Sequence, residues 1–362
     1  MEKTIKIDIE EMVRENIKKL KPYQSAREEI NDPDAILLDA NESPFPLGYN
    51  RYPDPFQRKL KAVISAKKDI PAENIFLGNG SDEIIDLVIR AFCNPGKDSI
   101  LINTPTYGMY EVCARINDIE VLKIDLNNEF QIDLEKLLAK AGKAKIIFIC
   151  SPNNPTGNVI KQNIILELLE NFNGLVLVDE AYIDFADAES FTNYISNYQN
   201  LVVLQTFSKA LGMAGIRLGM AFANSKIVNI LNKIKFPYNI SQLNQKAALQ
   251  ALGYSNYQAT IETIRIQRTW LSDQLNQLNL VEKIWPSDAN FLLVKFKNHK
   301  EVFEFFKNEG IIVRDRSNEP NCKGCLRITV GKSLDNLLLI SCLKQFDRIK
   351  FNYYEKNFIL RS

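Results

Sequence analysis

The sequence predicts an α/β protein: a large domain on a mostly parallel central sheet flanked by helices, then a smaller α/β C-terminal domain. Three observations predict it. Short, almost wholly apolar runs such as KIIFIC, GLVLVD and NLVVLQT alternate with segments of helical periodicity, the pattern of strands covered by helices on both faces. Those runs end in polar clusters, GNGSDE, SPNNPTG, VDEAY and TFSK, and ligand groups in such sheets collect beyond the carboxyl ends of the strands. After about residue 240 the alternating units become shorter, and 362 residues is long enough for two domains.

Residues 1–40 read as an N-terminal helix, IEEMVRENIKKL, and an arm, PYQSAREEINDPD. The stretch LLDANESPFPLGYNRYPDP is rich in Pro, Asn and Gly and reads as extended and irregular. The large domain spans 41–257. It holds helices over FQRKLKAVISAKK and SDEIIDLVIRAFC, and strands in NIFLG, SILINTPTY, KAKIIFIC, GLVLVDE, NLVVLQT and RLGMAFA. The small domain spans 258–362 and takes in part of the N-terminus. A long helix, NYQATIETIRIQRTWLSDQLNQL, leads into DANFLLVKF, HKEVFEFFKNEG, IIVRDR, CLRITVG and a final helix, NLLLISCLKQF. The tail FNYYEKNFILRS is assigned no function.

A net charge of +1 gives no bulk electrostatic case for nucleic acid or an anionic membrane. The charged N-terminus has no apolar signal core, and no run approaches the roughly 20 apolar residues of a membrane span. The expected location is the cytoplasm. Six scattered cysteines are not a disulfide framework. Cys322 and Cys325 form a lone CxxC without the further ligands a structural zinc needs, so no metal is expected. The single histidine, His299, reads as a surface residue at a helix start.

The chemistry therefore falls to other groups, above all to TFSKALGMAGIRLG, residues 206–219. Lys209 directly follows an apolar strand, has Ala210, Gly212, Ala214 and Gly215 after it, and is followed by Arg217 at a spacing of about two helical turns. Small residues leave room beside the ammonium. Burial lowers an amine's pKa and frees its lone pair to attack a carbonyl. Asp179 ends another apolar strand, and a buried carboxylate needs a partner, either a cationic ring nitrogen or an arginine. Asn154 in NNPTG is either a hydrogen-bond donor at a strand end or part of a plain turn. Tyr107 is either core or a ring stacked on a ligand. GNGSDE either starts a helix that receives an anion or is a tight turn capped by Ser81 or Asp82. A Schiff-base lysine with an aspartate on a pyridinium nitrogen is the arrangement for pyridoxal 5'-phosphate. Thr206, Ser208, Arg217 and the helix start are available for its phosphate.

In this order, GNGSDE, PTYGMY, SPNNPTG, VDEAY and TFSKALGMAGIRLG resemble the fold-type-I pyridoxal-phosphate aminotransferases. ENIKKLKPYQSAR, LDANESP, NRYPDP and GCLRITVG narrow the resemblance to the histidinol-phosphate aminotransferase family. The likeness spans about residues 12 to 345. It implies that Lys209 forms the Schiff base and carries the proton, that Asp179 keeps the pyridine nitrogen protonated, and that Asn154 and Tyr182 bond the phenolic oxygen. It further implies that Tyr107 stacks on the ring and that Ser81, Asp82, Thr206, Ser208 and Arg217 hold the phosphate. Tyr52 in NRYP is implied to reach the partner subunit's phosphate, making the enzyme a homodimer. Tyr23, Arg314 and Arg327 are implied to bind the substrate's anionic end, beside Asn154.

The implied activity is amino transfer between L-histidinol phosphate and 2-oxoglutarate in histidine biosynthesis. The alternatives are a decarboxylase of the threonine-phosphate type on the same scaffold and an aromatic amino acid aminotransferase. PLGYN before RYPDP is short, and no residue is identified as reading the imidazole.

Overall fold

The computed structural model describes residues 7–23, 35–254 and 256–359. The apolar runs become the strands of a seven-stranded sheet: β1 (Ile75–Gly78), β2 (Ser99–Thr104), β3 (Glu120–Asp125), β4 (Ile146–Cys150), β5 (Leu175–Asp179), β6 (Leu201–Thr206) and β7 (Gly219–Ala223), in the order β1-β7-β6-β5-β4-β2-β3. Pairings among β2 to β6 are parallel, and β7 runs antiparallel to both its neighbours. Every residue of β4, β5 and β6 is buried. Alternate residues feed two different cores. Ile147, Val176, Val178 and Val203 pack on one face, while Phe148, Leu175, Leu177 and Leu204 pack on the other. At about 1.5–3 kcal/mol per buried aliphatic side chain, covering both faces stabilises the sheet strongly.

Two elements differ from the sequence reading. β3, with sequence EVLKID, lies outside the strands that the sequence predicts. It is the sheet edge, and Glu120, Lys123 and Asp125 face water. Charges along an exposed edge discourage pairing with other chains, and they also hide the strand in the sequence. The helix expected over IEEMVRENIKKL is two short helices, Ile9–Met12 and Glu15–Lys18. The break comes at Val13, which is buried and extended, while the Arg14 backbone N–H donates to the Ala91 carbonyl over 3.0 Å and its guanidinium to Arg90 O over 2.9 Å. These tertiary bonds replace the helical ones at that turn.

The C-terminal part builds a second, antiparallel sheet from β8 (Val281–Ile284), β9 (Phe291–Phe296), β10 (Arg314–Asp315) and β11 (Cys325–Thr329), in the order β10-β11-β9-β8. Leu292, Val294, Phe296, Leu326 and Ile328 share a core with helices Tyr257–Asn276, His299–Asn308 and Ser333–Ile359. The opposite face, with Leu293 and Cys325, packs into the core of the large sheet. Alternation along β9 and β11 thus points one set of side chains at the helices and the other at the large sheet. The last helix, Ser333–Ile359, runs well beyond NLLLISCLKQF and takes in most of the tail.

Cys322 and Cys325 are buried free thiols in the core. His299 begins a helix but is not a plain surface residue. It is half-buried, its Nε2 has no hydrogen-bond partner, and its ring lies beside the Cys322–Cys325 turn at Gly324. Among the described residues no helix is long and apolar enough to cross a membrane.

Candidate active site

The carboxyl ends of β1, β4, β5 and β6 and the amino end of the antiparallel β7 line up along one rim of the large sheet. Gly78 of β1 lies opposite Gly219 of β7, which lies opposite Thr206 of β6. Asp179 at the end of β5 lies between Cys150 of β4 and Leu204 of β6. The connections leaving these ends converge on one pocket, lined by Ser81, Asp82, Tyr107, Cys150, Asn154, Asp179, Ala181, Tyr182, Thr206, Ser208, Lys209 and Arg217.

Lys209 and Arg217 do not sit on one helix. They flank a loop with a short 3-10 turn, Ala214–Ile216, between β6 and β7. Because those strands are antiparallel neighbours, both ends of the loop return to the same rim, and Arg217 takes a left-handed conformation with φ of 48°. Lys209 Nζ is 5.4 Å from the centre of the Tyr182 ring. Burial, then the positive charge of Arg327, hold its amine below the usual lysine range, while Asp179 opposes them.

Asp179 is almost wholly buried. Burial raises its pKa, and two donors push the other way: the Tyr110 hydroxyl at 2.6 Å from Oδ2 and the Ala181 N–H at 3.0 Å from Oδ1. Tyr110 is a contact the sequence reading did not find. The signal was its place in PTYGMY, close after Tyr107 and at the start of the helix Met109–Ile116. The ring is buried and stacks on Phe148 at 4.9 Å.

The helix Ser81–Phe92 begins at the pocket. Gly80 precedes it with φ of 81°, and no side chain caps its first N–H groups. The capping reading for Ser81 or Asp82 therefore does not apply. The Asp82 carboxylate instead accepts from the Tyr107 hydroxyl at 3.0 Å and from Arg217 at 3.3 Å. Gly219 permits this close approach, since a Cβ there would lie 2.4 Å from the Ser81 nitrogen. Thr206 Oγ1 accepts from the Ser208 N–H and donates to the Leu218 carbonyl.

The small sheet closes one side. Arg327 of β11 donates to Asn154 Oδ1 over 2.5 Å, and the Asn154 amide donates to the Tyr182 hydroxyl over 3.4 Å. Arg314 of β10 lies directly opposite Arg327 in the strand register. Two of the expected residues stand apart. Tyr23 is 70% exposed. Tyr52 is 52% exposed, stacks on Tyr238 at 4.5 Å, and lines a separate groove with Glu42, Arg51 and Leu243. Gln24 to Arg27 of PYQSAR lie outside the described residues.

Comparison with known proteins gives the same direction. The family model "Aminotransferase class I and II" matches residues 15–339. A histidinol-phosphate aminotransferase of Cytophaga hutchinsonii is 50% identical over 344 residues, covering 93% of this chain and 99% of that protein. The crystal structure of the histidinol-phosphate aminotransferase from Clostridium acetobutylicum superposes with a TM-score of 0.76 at 27% identity, covering 82% of this chain and 91% of that one. That of an L-threonine-O-3-phosphate decarboxylase from Porphyromonas gingivalis superposes at 0.72 with 25% identity, covering 82% and 90%. Half-identity over nearly the full length of both chains assigns this one, a pyridoxal-phosphate-dependent aminotransferase of class I and II, to the histidinol-phosphate aminotransferase family.

Proposed function

We propose that this aminotransferase moves an amino group between L-histidinol phosphate and 2-oxoglutarate in histidine biosynthesis, as a cytoplasmic homodimer. The observation that carries the reading is the opposed pair Arg314 and Arg327, with Arg327 reaching Asn154 at the edge of the lysine pocket. Like charges directly opposite on a sheet repel. A phosphate monoester, with two charges and several acceptor oxygens, offsets that repulsion better than one carboxylate. The half-identical relative named for this reaction supports the same substrate.

The pocket's donor set fits pyridoxal phosphate. An uncapped helix start offers free N–H groups to an anion, and Arg217 stands beside it with half of its side chain exposed. Asp179 is a buried carboxylate whose contacts are both neutral donors, which leaves it suited to a cationic N–H. When bound, the cofactor supplies an aldehyde for an amine and a cationic ring that withdraws charge from the substrate's α-carbon.

The chain's residues then have these proposed roles. The Ser81 and Asp82 backbone N–H groups, Thr206, Ser208 and Arg217 hold the phosphate. Tyr107 flanks the ring, and Asn154 and Tyr182 hold its phenolic oxygen. Asp179 keeps the ring nitrogen protonated, and Tyr110 keeps Asp179 ionised. Lys209 Nζ, held towards its neutral form, would shuttle the proton between the substrate's α-carbon and the cofactor's C4′. Arg327 and Arg314 of the 258–362 part, with Tyr23 of the N-terminal arm, bind the substrate's anionic end. Tyr52 lines a groove outside its own chain's pocket and is assigned to the partner's. The apolar side chains of Ile36, Leu38, Phe45 and Leu47, each 79% exposed or more and in the irregular segment that leads to Tyr52, support a covered surface there.

The test is steady-state turnover of histidinol phosphate, phenylalanine and threonine phosphate, with carbon dioxide monitored, and sedimentation of the same sample. The proposal expects histidinol phosphate to have the highest kcat/KM, no carbon dioxide, and a dimer. Carbon dioxide released from threonine phosphate, or a preference for phenylalanine, would sink it.

A further inference from the structure

A third arginine shares the face that carries Arg314 and Arg327, and neither the sequence reading nor the family resemblance assigned it a role. Arg316 lies two residues beyond Arg314, so strand alternation points both side chains the same way. Its N–H donates to the Cys325 carbonyl over 2.9 Å, which continues the β10–β11 ladder by one step beyond Arg314–Arg327 and Asp315–Leu326. Arg316 thus stands next to Arg327 on the side of the small sheet that faces the large one.

Three observations show that its charge is felt in the pocket and poorly satisfied locally. Burial raises the Tyr182 pKa and lowers that of Arg327; the charge of Arg316 opposes the first shift and adds to the second, where its effect ranks ahead of that of Arg314. Its Nε is buried without a hydrogen-bond partner. Its one ion pair among the described residues is a 3.5 Å contact from Nη1 to Glu319, which sits three residues on in a turn closed by the Glu319 N–H on the Arg316 carbonyl. A guanidinium with five donors, one buried and idle, and a single long contact to a carboxylate can exchange that contact for a better anion.

We propose that Arg316 is a specificity-determining residue that favours a phosphate monoester over a carboxylate at the substrate's anionic end, with Glu319 as the partner it gives up to the phosphate. The inference rests on the substrate reading above. Arg314 and Arg327 can hold either anion, with the dianion the better match to their two charges. A third guanidinium adds attraction to the dianion more than to a monoanion, because the Coulomb term scales with the ligand's charge. Glu319 meanwhile limits charge repulsion when the site is empty.

The experiment compares holoenzyme carrying Arg316→Gln, Arg316→Lys or Glu319→Gln with the wild type, in both half-reactions and with inorganic phosphate as inhibitor. Arg316→Gln should raise the ratio of KM for histidinol phosphate to KM for glutamate about tenfold, the cost of losing one charge-assisted bond. Arg316→Lys should recover part of that ratio, which a purely structural arginine would not show. Glu319→Gln should tighten inhibition by inorganic phosphate several-fold, because the competing carboxylate is gone. An unchanged KM ratio in Arg316→Gln overturns the proposal, as does weaker phosphate inhibition in Glu319→Gln. Wild-type enzyme that does not turn over histidinol phosphate would instead refute the substrate reading, and the phosphate-inhibition arm would still decide the role of Arg316.

Discussion

The Tyr110 hydroxyl donates to Asp179 Oδ2 over 2.6 Å from a fully buried ring stacked on Phe148. That bond favours the ionised carboxylate, against a burial effect that favours the neutral acid. Tyr110→Phe should therefore raise the pKa of Asp179 further. Activity that needs the carboxylate is lost as pH falls through that pKa, so the acid limb of the kcat/KM profile should move to higher pH, with kcat down about tenfold at the optimum. A profile that keeps its acid limb in place would remove Tyr110 from the mechanism.

Lys209→Ala should leave the phosphate-holding residues untouched. The variant is expected to bind the cofactor without a covalent link, shown by an absorption band that borohydride does not trap. Turnover should fall by roughly a thousandfold or more, the scale of losing both nucleophile and proton carrier. Near-normal turnover would contradict the assigned role.

Arg327 acts on two partners. Arg327→Ala should weaken histidinol phosphate and glutamate together, by about tenfold or more in KM, and loss of only one would reveal separate anion sites. It also removes a charge that depresses the Lys209 pKa. An amine reacts in its neutral form, and here the folded-state pKa lies below the ordinary lysine value. In cofactor-free Arg327→Ala that pKa should rise, so acylation of Lys209 should begin at higher pH than in the wild type. Mass spectrometry of a pH series measures the shift.

Gly219 is fixed by space and not by backbone angle. A Cβ would lie 2.4 Å from Ser81 N and 2.5 Å from the Gly80 carbonyl carbon. Gly219→Ala should displace the start of the Ser81–Phe92 helix, costing about 1–3 kcal/mol as over-packing does. Cofactor affinity should fall more than this stability loss alone explains. Thermal unfolding with and without cofactor separates the two, and an unchanged melting temperature would mean that the helix start shifts freely.

Where the sequence reading succeeded, the physics was local. Strands such as LVLVD are apolar at every position because both faces of the sheet are covered, and a strand buried on both sides carries that mark in its own residues. β3 carries no such mark, since an edge strand half in water has charges at half its positions. The break at Val13 was equally illegible. Its cause is a hydrogen bond from Arg14 to Ala91, 77 residues away in the chain.

By itself the sequence determined which side chains could do the chemistry, a lysine among small residues, an aspartate at a strand end and a glycine-rich helix start, because residue type and strand position are local properties. Only the tertiary structure decided who stands beside whom. The antiparallel turn from β6 to β7 brings Arg217 back to Lys209, a helix brings Tyr110 under Asp179, and the β10–β11 register sets Arg314 against Arg327 with Arg316 alongside. Tyr110 and Asp179 are 69 residues apart, and even Lys209 and Arg217, or Arg314 and Arg327, meet only through strand pairing. Sheet register and the packing of helices on the sheet choose these contacts, and no stretch of residues encodes that alone.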